Sequence, residues 1–496
     1  MKRSSQDTIV RTRLADEIGR ITKHAPFTVA LTYPSAYGAA MSSLGYQRIY
    51  RAIMDAPGLA CERVVLDDDA EKDLAKQGVP RSYESDRLLA DFPVIAVSVA
   101  YELEIGGLVA MLDRAEIPVS RRVRDGHFVL AGGPLTFSNP LPLSGIADAI
   151  IIGEGESLII DALRVLETIT DKSARLSALA KLPHVFVPEI HGDVLPTVAK
   201  VDDDMVPAYS AITTPHAVLS NMFLVETERG CSRMCTYCVM RRTTNGGMRL
   251  ASMERILEIV PSYAKRVGLV GAAVSDHPRI VDIVNALADR GCEVGLSSLR
   301  PDRLKHEFVA ALKRAGTRTL TTAMDGPSER LRETLERKAK EKHLIRCAEV
   351  AKANGMDRLK LYLMIGLPTE TDADIDECSR FTTELSKVIP ISLGIAPFCA
   401  KRNTPLDGEP FAGVDVVTDR LKRLKRGLKG RADVRSTSAK WAWVEYVLAQ
   451  GSEAEGMAVV DAVRAGGTFA AYKRAFAALS EREVRPKRRS LAIARV

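Results

Sequence analysis

The chain has 496 residues, 46% of them hydrophobic and 27% charged, with a formal net charge of +7. Length and apolar content suffice for two or three packed domains and exclude a wholly disordered chain. No run of about 20 apolar residues occurs, so no membrane span is predicted, and the modest positive charge permits contact with nucleic acid without requiring it. Eight cysteines in so long a chain do not make a disulfide framework. Three share one loop, and the rest (Cys61, Cys292, Cys347, Cys378, Cys399) stand singly, as buried thiols of a cytoplasmic protein do. Met1 to Lys23 is charged and lacks an apolar h-region, so no signal peptide is expected.

Residues 1–165 alternate strands with helices. Phe27–Tyr33, Cys61–Leu66, Pro93–Val99, Phe128–Ala131 and Ala149–Ile152 read as buried strands, with helices over 39–54 and around Leu108–Leu112. This interval predicts an α/β domain with a doubly wound parallel sheet. Glycines at strand ends, Gly132-Gly133 and Gly153/Gly155, either admit a ligand at the carboxyl edge of the sheet or simply turn the chain tightly. Residues 166–215 hold five prolines and the acidic run Asp202-Asp203-Asp204, which reads as an extended linker with a solvated loop.

The next segment, 216–410, opens with a strand, Met222–Thr227, that runs into Glu228-Arg229-Gly230-Cys231-Ser232-Arg233-Met234-Cys235-Thr236-Tyr237-Cys238. Thiolates spaced this way can turn toward one soft metal centre. A structural zinc site closes its shell with four ligands, commonly as two pairs, and no second pair follows. A four-iron cubane held by three cysteines would keep one iron open to a further ligand. Five more strands follow, each with a helix: Val267–Val274, Glu293–Ser298, Thr319–Ala323, Arg358–Ile365 and Ile391–Ala396. One long helical region is expected over Glu329–Asn354. Residues 411–496 read as a small helical region with a basic amphipathic helix at Leu421–Lys429, aromatic anchors Trp441, Trp443 and Tyr446, and a disordered basic tail at Arg485–Arg489.

The cysteine loop, with Tyr237 before its third cysteine, resembles the cluster motif of the radical S-adenosylmethionine (SAM) superfamily. The resemblance implies a [4Fe-4S] cluster on Cys231, Cys235 and Cys238, with SAM on the open iron. It also implies that the six strand–helix units form a partial (β/α)6 TIM-type barrel with the cluster at its carboxyl rim. The implied chemistry is one-electron reduction of SAM by the cluster, giving methionine and a 5′-deoxyadenosyl radical, with a flavodoxin or ferredoxin as low-potential donor.

Further motifs match the family in chain order. Gly271-Ala272-Ala273 takes the place of the small-residue motif for the methionine amino group, without the usual Gly-Gly-Glu wording, so backbone contacts must serve. Asp325-Gly326-Pro327-Ser328-Glu329-Arg330-Leu331-Arg332 resembles a motif in which Asp325 accepts ribose hydroxyls and Arg332 pairs with the methionine carboxylate. Asp325 and Ser328 are equally suited to starting a helix. Met364-Ile365-Gly366-Leu367-Pro368 resembles the fifth-strand turn on which adenine packs, through Ile365 and Gly366. Pro397-Phe398-Cys399-Ala400-Lys401 resembles a sixth-strand exit of cobalamin-type and methylthiotransferase-like members, which makes Cys399 a candidate catalytic thiol, against the alternative of a small buried hydrophobe. His277 reads as a proton carrier or a packing group.

Tyr33-Pro34-Ser35, Gly132-Gly133-Pro134 and Gly153-Glu154-Gly155-Glu156 resemble the cobalamin-binding-type domain that precedes many radical SAM cores. The Asp-x-His-x-x-Gly motif that supplies a cobalt ligand is absent, so cobalamin would bind without that histidine or not at all. The functional expectation is a radical SAM enzyme, in its finer form a cobalamin-type methylase of a small molecule or peptide. Alternatives are an RNA-modifying methylthiotransferase-like enzyme, which would need a second three-cysteine cluster where this chain has only Cys61, and a non-catalytic iron–sulfur scaffold or electron carrier. RNA contact through the basic helix is not favoured over a solvated face.

Overall fold

The computed structural model describes residues 2–241, 247–296 and 299–482. Two compact units divide the chain, Met1–Asn221 together with Val447–Val496, and Met222–Tyr446. The boundaries differ from the expected ones in two ways. The stretch 166–215 is no bare linker, and the core does not stop at 410.

In the first unit six strands form one sheet: β1 (Phe27–Ala36), β2 (Leu59–Leu66), β3 (Val94–Ser98), β4 (Phe128–Gly132), β5 (Ala149–Ile151) and β6 (Val185–Phe186). Their order is β2-β1-β3-β4-β5-β6. The first five are parallel, and β6 runs antiparallel to β5. Strands β3 and β5 are buried throughout, as an apolar run covered on both faces must be. Helix Leu44–Asp55 starts at Ser43, whose side chain accepts from the Tyr46 N–H, and it buries Leu44, Gln47, Tyr50, Ile53 and Met54 at helical spacing. Strand β6 explains the first boundary: Val185, Phe186 and Val187 are apolar, buried, and flanked rather than interrupted by prolines.

The chain steps outward from β1 to β2 and then crosses back to β3, so the winding reverses between β1 and β3. The crevice beyond the carboxyl ends at such a reversal is where open α/β sheets take ligands. Tyr33-Pro34-Ser35 ends β1 there, and the buried Glu104 carboxylate accepts from Ser35 Oγ at 2.8 Å and from the Ala100 N–H at 2.5 Å. The glycine turns are filled by protein. A Cβ at Gly133 (φ 107°) would lie 2.6 Å from the Val99 carbonyl oxygen, and one at Gly153 (φ 96°) 2.6 Å from the Ala199 nitrogen. Both glycines permit close approach of two backbones, and they serve as tight turns.

The C-terminal residues complete this unit. Fully buried Asn139 donates from Nδ2 to the carbonyls of Ala449 at 3.0 Å and Gly451 at 2.8 Å. Helix Glu453–Arg464 lies so close to Pro142 that a Cβ at Gly456 would meet the Pro142 carbonyl oxygen at 1.8 Å. The basic tail at 485–489 lies outside the described residues.

The second unit contains β7 (Met222–Glu226), β8 (Glu228–Arg229), β9 (Arg249–Leu250), β10 (Arg266–Val270), β11 (Glu293–Leu296), β12 (Thr319–Asp325), β13 (Arg358–Ile365), β14 (Ile391–Pro397) and β15 (Ala432–Ser436). Strands β7, β10 and β11 form one parallel sheet and β12 to β15 another, and a parallel bridge from Leu299 to Thr322 links them. Neighbours follow chain order with a helix or helix pair between them, which is the winding of a β/α barrel. Among the described residues no ladder pairs β7 with β15, so the barrel is open there. It has a seventh strand, β15, beyond the expected six. Its alternating half-exposed residues, Ala-Asp-Val-Arg-Ser, give a weak strand signal. The basic helix spans Val414–Gly427 and buries Val417, Leu421 and Leu424. Arg423 pairs with Asp372 and Asp376 and Arg420 with Glu370, so two of its arginines are neutralised within the chain. Trp441 is exposed rather than a core anchor.

The region expected as one helix over Glu329–Asn354 is two, Glu329–Thr334 and Glu341–Ala353. In the break Glu336 (φ 51°) and Lys338 (φ 59°) adopt left-handed backbone. No glycine or proline marks it in the sequence.

Candidate cofactor site at the cysteine loop

The short antiparallel pair β8–β9, with Glu228 opposite Leu250 and Arg229 opposite Arg249, closes the base of the loop that carries the cysteines. Because β7 delivers this pair, the loop emerges at the carboxyl rim of the barrel. Cys231 and Cys235 are buried and Cys238 partly so, and all three are free thiols. They line one cavity of about 120 Å³ together with Arg233 and Tyr237 of the loop, Ala272 beyond β10, Ala323 and Asp325 of β12, and Arg337 of the helix break. Burial pushes the Cys231 thiol up and the Cys238 thiol up to about 11.

The loop is fastened on two sides. On one, Thr236 N–H donates to the Leu335 carbonyl at 3.1 Å, and the Tyr237 ring packs on an apolar cluster of Leu331, Leu335, Leu367, Phe398 and Ala400. On the other, Ser232 Oγ donates to Asp276 at 3.3 Å, and Arg233 lies 3.5 Å from Asp302. Arg300 bridges those two carboxylates, and its N–H donates to Ser275 Oγ at 3.0 Å. This network ties the loop to the segments following β10 and β11.

Asp325 is buried at the end of β12 with φ 64°. Burial raises its pKa, while the Arg337 guanidinium, paired with it, and the nearby Tyr237 hydroxyl pull the other way. For Arg337 burial favours the neutral form. The charge of Asp325, with Tyr237 and Cys235 nearby, outweighs burial and holds the guanidinium charged.

Glu228 is the acid that the sequence reading passed over. Its carboxylate accepts from the Ala273 N–H at 2.8 Å and from the Thr227 hydroxyl, and it covers Gly271 so closely that a Cβ there would sit 1.9 Å from Oε1. Burial pushes its pKa up to about 7. The Gly271-Ala272-Ala273 segment therefore has a carboxylate beside it, supplied from β8 and not from its own strand end.

Of the expected site residues, the three cysteines, Ala272 and Asp325 share the cavity, with Gly271 next to it under Glu228. Arg332 does not. Its guanidinium is buried and donates to the carbonyls of Ala339 at 2.9 Å and Gly326 at 3.3 Å, and Arg337 stands in the cavity instead. Ser328, not Asp325, caps helix Glu329–Thr334. Ile365 and Gly366 end β13 outside the cavity wall, and a Cβ at Gly366 (φ 85°) would meet Val417 at 3.0 Å. The Cys399 thiol turns away and donates to the Ala442 carbonyl at 3.1 Å, which corrects its candidacy as a catalytic thiol. His277 bonds the Ala251 carbonyl oxygen and accepts from the Arg279 N–H, a packing role.

The donor set suits an iron–sulfur cluster with an open iron. Three thiols line the cavity and, among the described residues, no fourth cysteine or histidine does.

Comparison with known proteins agrees. Residues 45–188 match the family of N-terminal domains of radical SAM proteins, and residues 225–382 match the radical SAM superfamily. An uncharacterised protein of Methanocaldococcus jannaschii is 28% identical over 65% of this chain and 70% of its own length. An uncharacterised methyltransferase of Pyrococcus horikoshii is 23% identical over 54% of this chain and 60% of its own. Among solved structures, the cobalamin-dependent SAM radical enzyme OxsB with aqua-cobalamin bound superimposes with a TM-score of 0.52 at 13% identity. That match covers 80% of this chain but only 56% of OxsB, so at this identity the likeness is one of fold. The chain belongs to the radical SAM superfamily, its core preceded by the N-terminal domain of such enzymes.

Proposed function

We propose that the protein holds a [4Fe-4S] cluster on Cys231, Cys235 and Cys238 and cleaves SAM reductively to begin radical chemistry on a substrate carbon. When bound, the reduced cluster supplies one electron to the SAM sulfonium, and the C–S bond breaks to methionine and a 5′-deoxyadenosyl radical. The observation that carries this reading is the cavity at the barrel rim lined by three thiols and, among the described residues, by no fourth cysteine or histidine.

The remaining residues bind and orient. Asp325 accepts ribose hydroxyls. Glu228, beside Gly271 and Ala273, offers a carboxylate for the methionine amino group. The apolar cluster behind Tyr237 excludes water from the loop, and dry surroundings strengthen every polar contact in the cavity. The reductant is a low-potential donor of the flavodoxin or ferredoxin kind.

The finer proposal is methyl transfer to a small molecule or peptide. It is supported by the methyltransferase relative and by the reversal of winding between β1 and β3, a site for a corrinoid in the first unit. Such a corrinoid would lack a lower histidine from an Asp-x-His-x-x-Gly motif. An RNA methylthiotransferase is disfavoured, since Cys61 is buried without a second cysteine near it in sequence. Anaerobic reconstitution with iron and sulfide, reduction, and assay for 5′-deoxyadenosine tests the reaction class. Intact SAM beside a fully loaded, reduced cluster would refute it. The absorption spectrum of protein produced with cobalamin tests the corrinoid.

A further inference from the structure

The Arg337 side chain lines the cavity beside the three cysteines, is largely buried and pairs with Asp325. Its delivery is costly. Glu336 and Lys338 on either side of it, and Asp325 opposite, all hold left-handed backbone although none is glycine. Such conformations are strained for residues with a side chain and persist where surrounding structure fixes them. The Thr236–Leu335 backbone bond fixes this one, and so does the Arg337 N–H donating to the Arg332 carbonyl at 3.0 Å. Arg337 is presented from the break between helices Glu329–Thr334 and Glu341–Ala353.

Resting on the cluster reading above, we infer that Arg337 sets the reduction potential of the cluster by placing a fixed positive charge in the wall of the cavity that the three cysteines line, with Asp325 as the counter-charge that moderates it. Hydrogen bonds to the sulfurs and net local charge are the protein's means of tuning such clusters. Reduction adds one electron, taken from an external low-potential reductant, and no proton. A guanidinium in the cavity wall favours the more negative, reduced form, so it raises the midpoint potential.

The two residues therefore have opposite effects. Arg337→Gln lowers the equilibrium constant for cluster reduction about tenfold, which is about 59 mV for one electron. Asp325→Asn leaves the guanidinium uncompensated and moves the potential upward. Arg337→Lys keeps the charge but loses the planar fork, and it falls between wild type and Arg337→Gln.

The experiment is an EPR-monitored potentiometric titration of the reconstituted full-length protein, without SAM, with dithionite as reductant and iron and sulfide counted in each sample. Opposite shifts for Arg337→Gln and Asp325→Asn at wild-type iron content support the inference. Unmoved potentials, or shifts of the same sign, overturn it while leaving the cluster reading intact. If Arg337→Gln does not load a cluster, the upward shift in Asp325→Asn and the intermediate value of Arg337→Lys decide the matter by the same signs. A wild-type protein that takes up no iron–sulfur cluster overturns the underlying reading and this inference with it.

Discussion

Thr236 donates its backbone N–H to the Leu335 carbonyl at 3.1 Å. This bond joins the cysteine loop to a helix break more than ninety residues further along the chain. Cys235, just before the donor, and Arg337, two residues past the acceptor, are thereby brought together. The site is thus assembled from segments that are separate in sequence, and each can be tested separately.

Replacing any one of Cys231, Cys235 and Cys238 by Ala removes a third of the thiol set and should abolish stable iron binding. Iron and sulfide per chain after anaerobic reconstitution measure this. Cys399→Ala and Cys61→Ala should load as wild type, since neither thiol lines the cavity.

Gly271 is obligatory only because Glu228 occupies the space its side chain would need. Gly271→Ala should cost about 1–3 kcal/mol, as overpacking does. Glu228→Ala in the same chain should recover much of that cost. Chemical denaturation of the four proteins of this cycle reads the coupling, and purely additive costs would contradict the packing described.

Glu228 also predicts a pH dependence. Its pKa is raised from 4.5 to about 7 by burial. Between those pH values the unfolded chain releases a proton that the folded chain keeps. Stability contributed by this group is therefore full below about pH 4.5 and falls as the pH rises toward 7. Glu228→Gln, which keeps the acceptor for the Ala273 N–H, should flatten the decline of stability across that window relative to wild type. Parallel curves from thermal melts at pH 5, 6 and 7 would contradict the assignment.

Asn139 holds the C-terminal helices through two good hydrogen bonds from a fully buried amide. Asn139→Leu leaves buried carbonyls unpaired and should cost about 1–3 kcal/mol per lost partner. Hydrogen exchange should quicken over 448–482 in particular.

Arg332 and Asp325 separate structure from binding. Arg332→Met strips partners from buried carbonyls and should lower thermal stability with little change in SAM affinity. Asp325→Asn should weaken SAM binding while the fold survives. Equilibrium dialysis against SAM, paired with melting curves, distinguishes the two.

Much of this site was legible in the sequence. Alternating apolar runs gave both parallel sheets, and Cys231-x3-Cys235-x2-Cys238 gave the loop and its chemistry, because thiol spacing is a local property. What escaped depends on tertiary contacts. Arg337 lies in a charged stretch of good helix formers, and only Asp325 and the cysteine loop force the break there. Arg332, nearer the motif, faces the interior because its helix starts at Ser328. Glu228 precedes the cysteines in plain view, but its register beside Gly271 follows from the pairing of β7 with β10. Val185-Phe186 was hidden among prolines that flank the strand without entering it.

The most direct measurement of the central claim is the metal content and EPR spectrum of the anaerobically reconstituted, reduced wild-type protein before and after SAM is added. An iron left open by three thiolates predicts about four irons per chain in one cubane cluster and a reduced signal that changes shape when SAM binds. One zinc per chain, or a cluster whose signal SAM does not perturb, would contradict it.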